Sequence, residues 1–458
     1  MTRFSISQPV TQMEAPRLMT GKGQYTDDVK LDNQAHGFFL RSPHAHADIV
    51  SIDVRAAKQM PGVVDILTGE DYANDGLGPV TGASPMKRRD GSPMYRPWRP
   101  ALTKDKVSHI GQAVAFVIAD TIWAAKDAAE AIVVDYKPLP VSLSTADSNK
   151  PGAPRIYDDC ENNEAAYVER GNGKAVDEAM AKAAHVVRER FIISRAAAMT
   201  MEPRAVNAHW DAGRDHYTIY AGHQRPYVWR SVMTKYLFKI PEHQMTLIAG
   251  DVGGSYGMKG GLYPEIPVAA WASKRTGRPV KWTCERSEAL VADDQGRDMV
   301  IDAELGLDKD GHFTAIRYRS NNNVGGFVSM LGFLTTGNIL SACEGPYKTP
   351  LAHGEGHTIL TNTLPVSNYR APGGAPGAYV LETLVELAAE DMKIDPVELR
   401  RRNFIQPKDM PHKGPLGGGI DCGDFEAIMD KALKAADWNG REKRRADAKK
   451  RGKIFGCG

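Results

Sequence analysis

This 458-residue sequence has only five cysteines, and no two of them form a Cys-x-x-Cys pair. Cys160, Cys284, Cys343, Cys422 and Cys457 are widely spaced, whereas an iron–sulfur cluster takes four thiolates, usually grouped at short intervals. The chain is therefore expected to carry no iron–sulfur centre of its own, and zinc-ligand spacing is missing too. Scattered thiols fit a reducing compartment. Residues 1–9 lack an apolar signal core, so a cytoplasmic location is expected. No run of 18 apolar residues occurs, and no membrane span is expected. An excess of charge of one sign is also absent. The 58 Lys and Arg against 56 Asp and Glu leave +2, so nothing points to nucleic acid as a partner. The basic cluster at 441–453 is interleaved with Glu, Asp and Ala and reads as a solvated helix face.

What is present is an ordinary globular composition, 42% apolar and 25% charged, long enough for two to four domains. Residues 16–145 read as one unit of alternating strand and helix. Its strands are expected at 63–68, 113–119 and 132–136, and an Ala-rich helix at 121–131 has Ile122, Ala125 and Ala129 on one face. The Gly- and Pro-rich stretch 76–100 reads as a long surface loop, and the polar stretch 143–174 as a linker. Beyond Val176, strands are expected at 187–195, 205–210 and 217–221. A helix from Pro226 to Leu237 and a strand at 245–249 come next. A long helix is expected at 378–393, then Asp395 (N-cap), Pro396 (N1) and Glu398 (N3) start another. A further helix is expected at 425–438.

Between the strand at 245–249 and a helical pattern at 266–274 lies Asp251-Val252-Gly253-Gly254-Ser255-Tyr256-Gly257-Met258-Lys259-Gly260-Gly261. A strand that feeds a glycine-dense loop into a helix exposes backbone N–H groups to an anionic ligand. Glycine also lets a ligand approach where a Cβ would obstruct it. The loop is not a Walker A motif, since Lys259 follows Met258 and no Ser or Thr comes after it. On its own, such a loop is equally consistent with a tight strand–helix connection.

The loop resembles the GGGFGxK segment of the molybdenum hydroxylases, the xanthine dehydrogenase, aldehyde oxidase and aerobic carbon monoxide dehydrogenase family, in the large molybdopterin-binding subunit. Other segments resemble that family in the same order: 16–28 (Pro-Arg-Leu-Met-Thr-Gly-Lys-Gly-Gln-Tyr-Thr-Asp-Asp), 41–47 (Arg-Ser-Pro-His-Ala-His-Ala), 111–115 with 134–140, and Asn368-Tyr369-Arg370-Ala371-Pro372-Gly373 running on to 395–403. The resemblance implies an α+β fold. An a/b hammerhead-like domain is expected at 1–145, a linker at 146–174, a first molybdopterin-binding domain at 175–420, and the start of a second at 421–458.

It also implies contacts to a molybdopterin cofactor, in the cytosine dinucleotide form or another, from Gln224, Gly254, Ser255, Tyr256, Gly257 and Arg370. Each has a plainer alternative: Gln224 as a helix cap, Tyr256 as a core aromatic, Arg370 as a salt-bridged loop residue. The implied activity is hydroxylation of an aldehyde or an N-heteroaromatic carbon with water as oxygen donor. Electrons would pass to an iron–sulfur subunit and a flavin subunit, with neither group on this chain.

The sequence departs from the family in several places. The glutamate that serves the family as general base lies in a later Gly-rich stretch, and the run Gly417-Gly418-Gly419 has no adjacent glutamate. No catalytic base is assigned, and a further chain supplying the C-terminal half is expected as a partner. The rival expectation is a non-catalytic fragment or subunit-docking protein without cofactor. Gly260 stands where purine-oxidising members place a glutamate, and Pro372 where they place a phenylalanine. Ala371 stands where copper-containing members place a cysteine, which removes the soft ligand for Cu(I). Glu202 and Glu265 are expected to be structural. His44 and His46 would share one face of a strand, and a structural role outweighs a metal site there.

Overall fold

The computed structural model describes residues 10–82 and 84–456; the expectations placed on residues 1–9 and on Cys457 lie outside the described residues. The N-terminal third holds β1 (Ala35–Arg41), β2 (Ala47–Asp53), β3 (Val63–Thr68), β4 (Lys106–Val107), β5 (Ala113–Ala119) and β6 (Val133–Pro138). Next come β7 (Glu164–Gly171), β8 (His185–Ala196), β9 (Ala205–Asp211), β10 (His216–Ala221), β11 (Met245–Ile248) and β12 (Val280–Thr283). The last long strands are β13 (Gly296–Leu307), β14 (Phe313–Gly325) and β15 (Leu351–Leu360). Four helices pack against these sheets or flank the loops between them: α1 (Ile122–Glu130), α2 (Pro226–Val232), α3 (Glu265–Thr276) and α4 (Gly374–Met392).

β5 shows why a continuous apolar run becomes a central strand. All seven of its residues are buried, because it lies between β1 and β3 with both faces covered. Ala125, Ala128 and Ala129 of α1 pack with Ala115, Val117 and Ala119 on one face. On the other, Phe116 meets Phe39, which meets Trp282 edge-on. The α+β class expected from the sequence holds, with helices laid against mixed sheets.

One sheet runs in the order β11-β10-β9-β12-β1-β5-β3. It joins strands from both sides of the expected division at 145, since β1 pairs in parallel with β12 through Ala35 and Val280. Strands so distant in sequence meet only through tertiary pairing, which local periodicity does not register. A second sheet has the order β7-β15-β14-β13-β8, and α4 buries Val380, Leu381, Leu384 and Ala388 in the same core as its Phe191, Ile301 and Tyr318.

Several local expectations shift. The stretch expected as a linker contains β7, and its Ile156 and Cys160 are buried beside Met94, Val324 and Leu360. The expected surface loop at 76–100 is tied inward, with Val80 and Met94 buried and the Tyr95 N–H donating to Ala165 O at 2.8 Å. His44 and His46 lie in the bend between β1 and β2 rather than on a strand, and His46 Nδ1 bonds Pro140 O at 2.6 Å. The helix expected at 425–438 ends at Ala435, because Asp437 adopts a left-handed φ of 46°. Asp395 caps the helix Pro396–Asn403 through the N–H groups of Val397 and Glu398, as its position suggested.

Candidate cofactor site

β10 and β11 are parallel neighbours, with Tyr217 opposite Met245, so the loops that leave them start from the same end of the sheet. Ligands in open α/β sheets collect at the carboxyl ends of strands. After β10 comes Gly222-His223-Gln224 and then α2; after β11 comes the glycine loop at 251–261.

Glu202 anchors the underside of that loop. Its carboxylate accepts from Gly253 N at 2.8 Å and from Lys259 Nζ at 2.7 Å, and the Lys259 side chain is almost fully buried. A Cβ on Gly253 would stand 2.4 Å from Glu202 Cβ, so the close approach needs glycine. The loop's entrance is held by Asp251, which pairs bidentately with Arg17. The hydrogen bond from Arg17 lowers the Asp251 pKa to about 2.

At the crest the backbone turns left-handed three times, with φ of 101° at Gly254, 53° at Tyr256 and 100° at Gly257. Gly257 is irreplaceable on two counts, its φ and the 2.3 Å that would separate a Cβ from Asn368 O. Ser255 braces the turn, its carbonyl accepting from Met258 N at 2.9 Å and its Oγ from Lys259 N at 3.0 Å.

Two further segments converge on this crest. Arg370 N donates to Tyr256 O at 2.7 Å, and Gln224 N donates to Lys259 O at 3.2 Å. The Gln224 amide oxygen lies 3.2 Å from where a Gly260 Cβ would stand, so the absence of a side chain at Gly260 is what admits it. Arg297 fixes the third segment by donating to the carbonyls of Tyr369 (3.1 Å), Arg370 (2.7 Å) and Ala371 (3.4 Å). Ala371 carries a left-handed φ of 57° and Gly373 one of 80°, and α4 begins immediately after.

The geometry separates the alternatives left open by the residues alone. Tyr256 is 47% exposed and is not a core aromatic. The helix after Pro226 has Arg225 at its N-cap and no side-chain cap bond, so Gln224 does not cap it. Arg370 is exposed, and among the described residues its guanidinium makes no ion pair or hydrogen bond. Gln224, Tyr256, Gly257 and Arg370 are thus brought together with two polar side chains free, while Gly254 and Ser255 shape the loop from within. Ala371 offers no thiolate at this rim, and Cys160, Cys284 and Cys343 are buried elsewhere.

Behind the rim lies a closed ionic network. Arg204 pairs with Glu265 at 2.7 Å and Asp293 at 2.5 Å, and Arg41 with Glu265 at 2.9 Å and Glu288 at 2.7 Å. Burial pushes the Glu265 pKa up, but Arg204 and Arg41 more than reverse it, to about 2. The structural role expected of Glu265 is this one, and Glu202 is likewise occupied beneath the loop. Asp294, next in the chain, has no such partner for its Oδ1, and burial raises its pKa to about 6.

The sequence matches a family described as the molybdopterin cofactor-binding domain over residues 156–404. The chain belongs to the molybdenum hydroxylase large-subunit family. A second match, to the aldehyde oxidase and xanthine dehydrogenase a/b hammerhead domain, covers residues 20–140. The chain is 33% identical to the 6-hydroxypseudooxynicotine dehydrogenase complex subunit gamma of Paenarthrobacter nicotinovorans, over 98% of this chain and 57% of that protein. It is 31% identical to the carbon monoxide dehydrogenase large chain of Afipia carboxidovorans, over 98% of this chain and 56% of that one. Quinoline 2-oxidoreductase from Pseudomonas putida 86 superposes with a TM-score of 0.91 at 30% identity, over 97% of this chain and 56% of that structure. The chain therefore spans somewhat more than half the length of these relatives. No helix among the described residues is long and apolar enough to cross a membrane.

Sequence reasoning missed Arg297, and it placed Asn368 in a matched segment without giving it a role; both shape the rim. Arg297 and Asp298, two non-glycine residues, both take left-handed φ, 66° and 62°. That strain is a structural observation, not one the letters carry.

Proposed function

We propose that this chain is the molybdenum-cofactor-binding subunit, or the N-terminal part of one, of an oxidoreductase that hydroxylates an N-heteroaromatic or aldehyde carbon with water as oxygen donor. The observation that carries the reading is the Tyr256 O–Arg370 N bond, which locks the glycine loop to the Arg370 segment with the Gln224 amide and Arg370 guanidinium left unpaired at one rim. The residues fit a large anionic pterin. Gly254 and Gly257 supply a crest of left-handed backbone that carries no side chain, and Arg370 supplies a cation able to grip phosphate or dithiolene charge. Gln224 adds an orientable amide.

When bound, such a cofactor supplies two-electron redox chemistry that inserts oxygen from water into a C–H bond. This chain's own residues do the positioning. The crest from Gly254 to Gly257 would present backbone to the cofactor, and Arg297 holds the Arg370 segment through the carbonyls of Tyr369, Arg370 and Ala371. Glu202 ties two points of the loop together, through Gly253 N and Lys259 Nζ. No residue of this chain is assigned as the general base.

The relatives named for nicotine derivatives and quinoline favour a nitrogen heterocycle as substrate, and Gly260 and Pro372 lack the side chains that would select a purine. Copper-assisted carbon monoxide oxidation is set aside because Ala371 cannot ligate Cu(I). The cytosine dinucleotide form of the cofactor, electron transfer to iron–sulfur and flavin subunits, a polypeptide completing the site and a cytoplasmic location belong to the same proposal. The test is molybdenum analysis of protein purified with the polypeptides that accompany it. Near-stoichiometric molybdenum together with a second polypeptide supports the reading. Absence of both supports the rival, a fragment or docking protein without cofactor.

A further inference from the structure

We infer that the edge strand β7 and its neighbour β15 hold a divalent metal ion of the zinc type, on Glu169, His353 and Glu355, with His357 as a further nitrogen donor. The sequence His353-Gly354-Glu355-Gly356-His357 alternates along β15, so two imidazoles and a carboxylate project from one face. The glycines face the other way, where there is no room. A Cβ on Gly354 would stand 2.7 Å from Leu340 Cδ2, and one on Gly356 2.9 Å from Thr336 Cγ2. The strand is thus pressed onto the helix Leu334–Ala342, and its polar face is held on a rigid platform.

Across the ladder Glu355 pairs with Glu169, and His357 with Tyr167. The ligand atoms of Glu169, His353 and Glu355 lie within 4.8 Å of one another, and His353 Nε2 is 2.8 Å from Glu169 Oε1. Two ligands of a tetrahedral zinc, each about 2.0–2.1 Å from the metal, stand about 3.3 Å apart. The His353–Glu169 pair must open by about 0.5 Å, and wider pairs must close by up to about 1.5 Å, to admit the ion.

The independent observation is His357. Its side chain is 2% exposed, and its Nε2 has no hydrogen-bond partner among the described residues. Its Nδ1 lies 2.7 Å from Glu164 Oε2 and 3.1 Å from Arg89 Nη2, so that side of the ring is occupied and Nε2 is the nitrogen left for a ligand. Nε2 faces Glu355 Oε2 at 3.7 Å, beyond hydrogen-bond reach. A cation between them would give Nε2 a partner, and a carboxylate on the far nitrogen is the usual support of a metal-bound histidine. Arg89 completes that support by pairing with Glu164 at 2.9 Å and lying 3.7 Å over the Tyr167 ring. Arg319, 3.6 Å from Glu355 on the solvent side, is largely exposed and free to swing away. Exposed Glu169 gives the ion an entry path, and the bound ion would clamp the outer strand β7 to the sheet.

Zinc alone is the probe, titrated by calorimetry into chelator-treated protein. One equivalent is expected, removable by EDTA, with affinity falling at least about tenfold in Glu355→Gln and in His357→Gln and unchanged in the exposed control His243→Gln. Thermal unfolding should rise with zinc in the parent and not in Glu355→Gln. If Glu355→Gln fails to fold by circular dichroism, His353→Gln makes the same comparison. Absence of zinc binding, or binding unaltered by Glu355→Gln or His353→Gln, overturns the inference. The site is independent of the cofactor rim, so Arg370→Ala should leave it intact whether or not the proposed function stands.

Discussion

Arg204 and Arg370 live in opposite circumstances. Arg204 is buried and fully engaged, bonded to Glu265 and Asp293 with the Tyr263 ring 3.8 Å beneath its guanidinium. Arg370 is exposed, and only its main chain is tied down, to Tyr256 and Arg297. The first is an arginine whose whole hydrogen-bonding capacity serves the fold, because an unpaired buried charge costs several kcal/mol. The second has a fixed backbone and an uncommitted charge, the arrangement expected where a ligand completes the bonding. Proteins keep such incomplete positions at sites and satisfy them elsewhere.

The sharpest way to break the comparison is at its closed end. Arg204→Met should destabilise the protein by about 3–5 kcal/mol, since Asp293 would remain buried without its cation and Glu265 would keep only Arg41; urea denaturation reads this directly. The same network gives a pH signature. With the Glu265 pKa lowered from 4.5 to about 2, its contribution is present above pH 4.5 and is lost as pH falls towards 2. A denaturation series that shows no acid loss beyond that of Arg204→Met would contradict the assignment.

Next in size is the crest. Gly257→Ala should cost about 1–3 kcal/mol from the left-handed φ alone, with the approach to Asn368 O adding to it. Asp294 lies between the two regimes, buried like the network but unpaired like the rim. Its pKa is raised from 3.8 to about 6, so its contribution is full below pH 3.8 and is lost as pH rises through 6. Asp294→Asn should therefore raise stability at pH 7 by roughly 1–3 kcal/mol and flatten the curve between pH 4 and 6. Stability unchanged at pH 7 would mean that the carboxylate finds a partner in solution. Smallest of all are the rim variants: Arg370→Ala and Gln224→Ala should shift stability by less than about 0.5 kcal/mol and still fold as the parent does.

Much of this was legible from the residues, for identifiable reasons. β5 and α1 arise from an apolar run and an Ala-rich period, and Asp395-Pro396 announced a helix start that the structure reproduces. The glycine loop stood out because Gly253, Gly254 and Gly257 are each needed for close approach or for φ, a demand the sequence states openly. What stayed hidden depends on distant partners. Nothing near Ala35 announces Val280 beside it, nothing in 143–174 marks β7 as the mate of β15, and Arg297 looks like any surface arginine until its three carbonyl partners are in view. His44 and His46 read as strand neighbours only because period two was assumed where the chain bends.

The most direct test of the central claim is molybdenum per chain, measured by mass spectrometry on the parent, Arg370→Ala and Gln224→Ala, each purified with its accompanying polypeptides. The expected result is near-stoichiometric metal in the parent and a severalfold loss in both variants, with thermal stability of the apo chains unchanged. Molybdenum absent from the parent, or retained equally in both variants, would contradict the assignment of this rim to the cofactor.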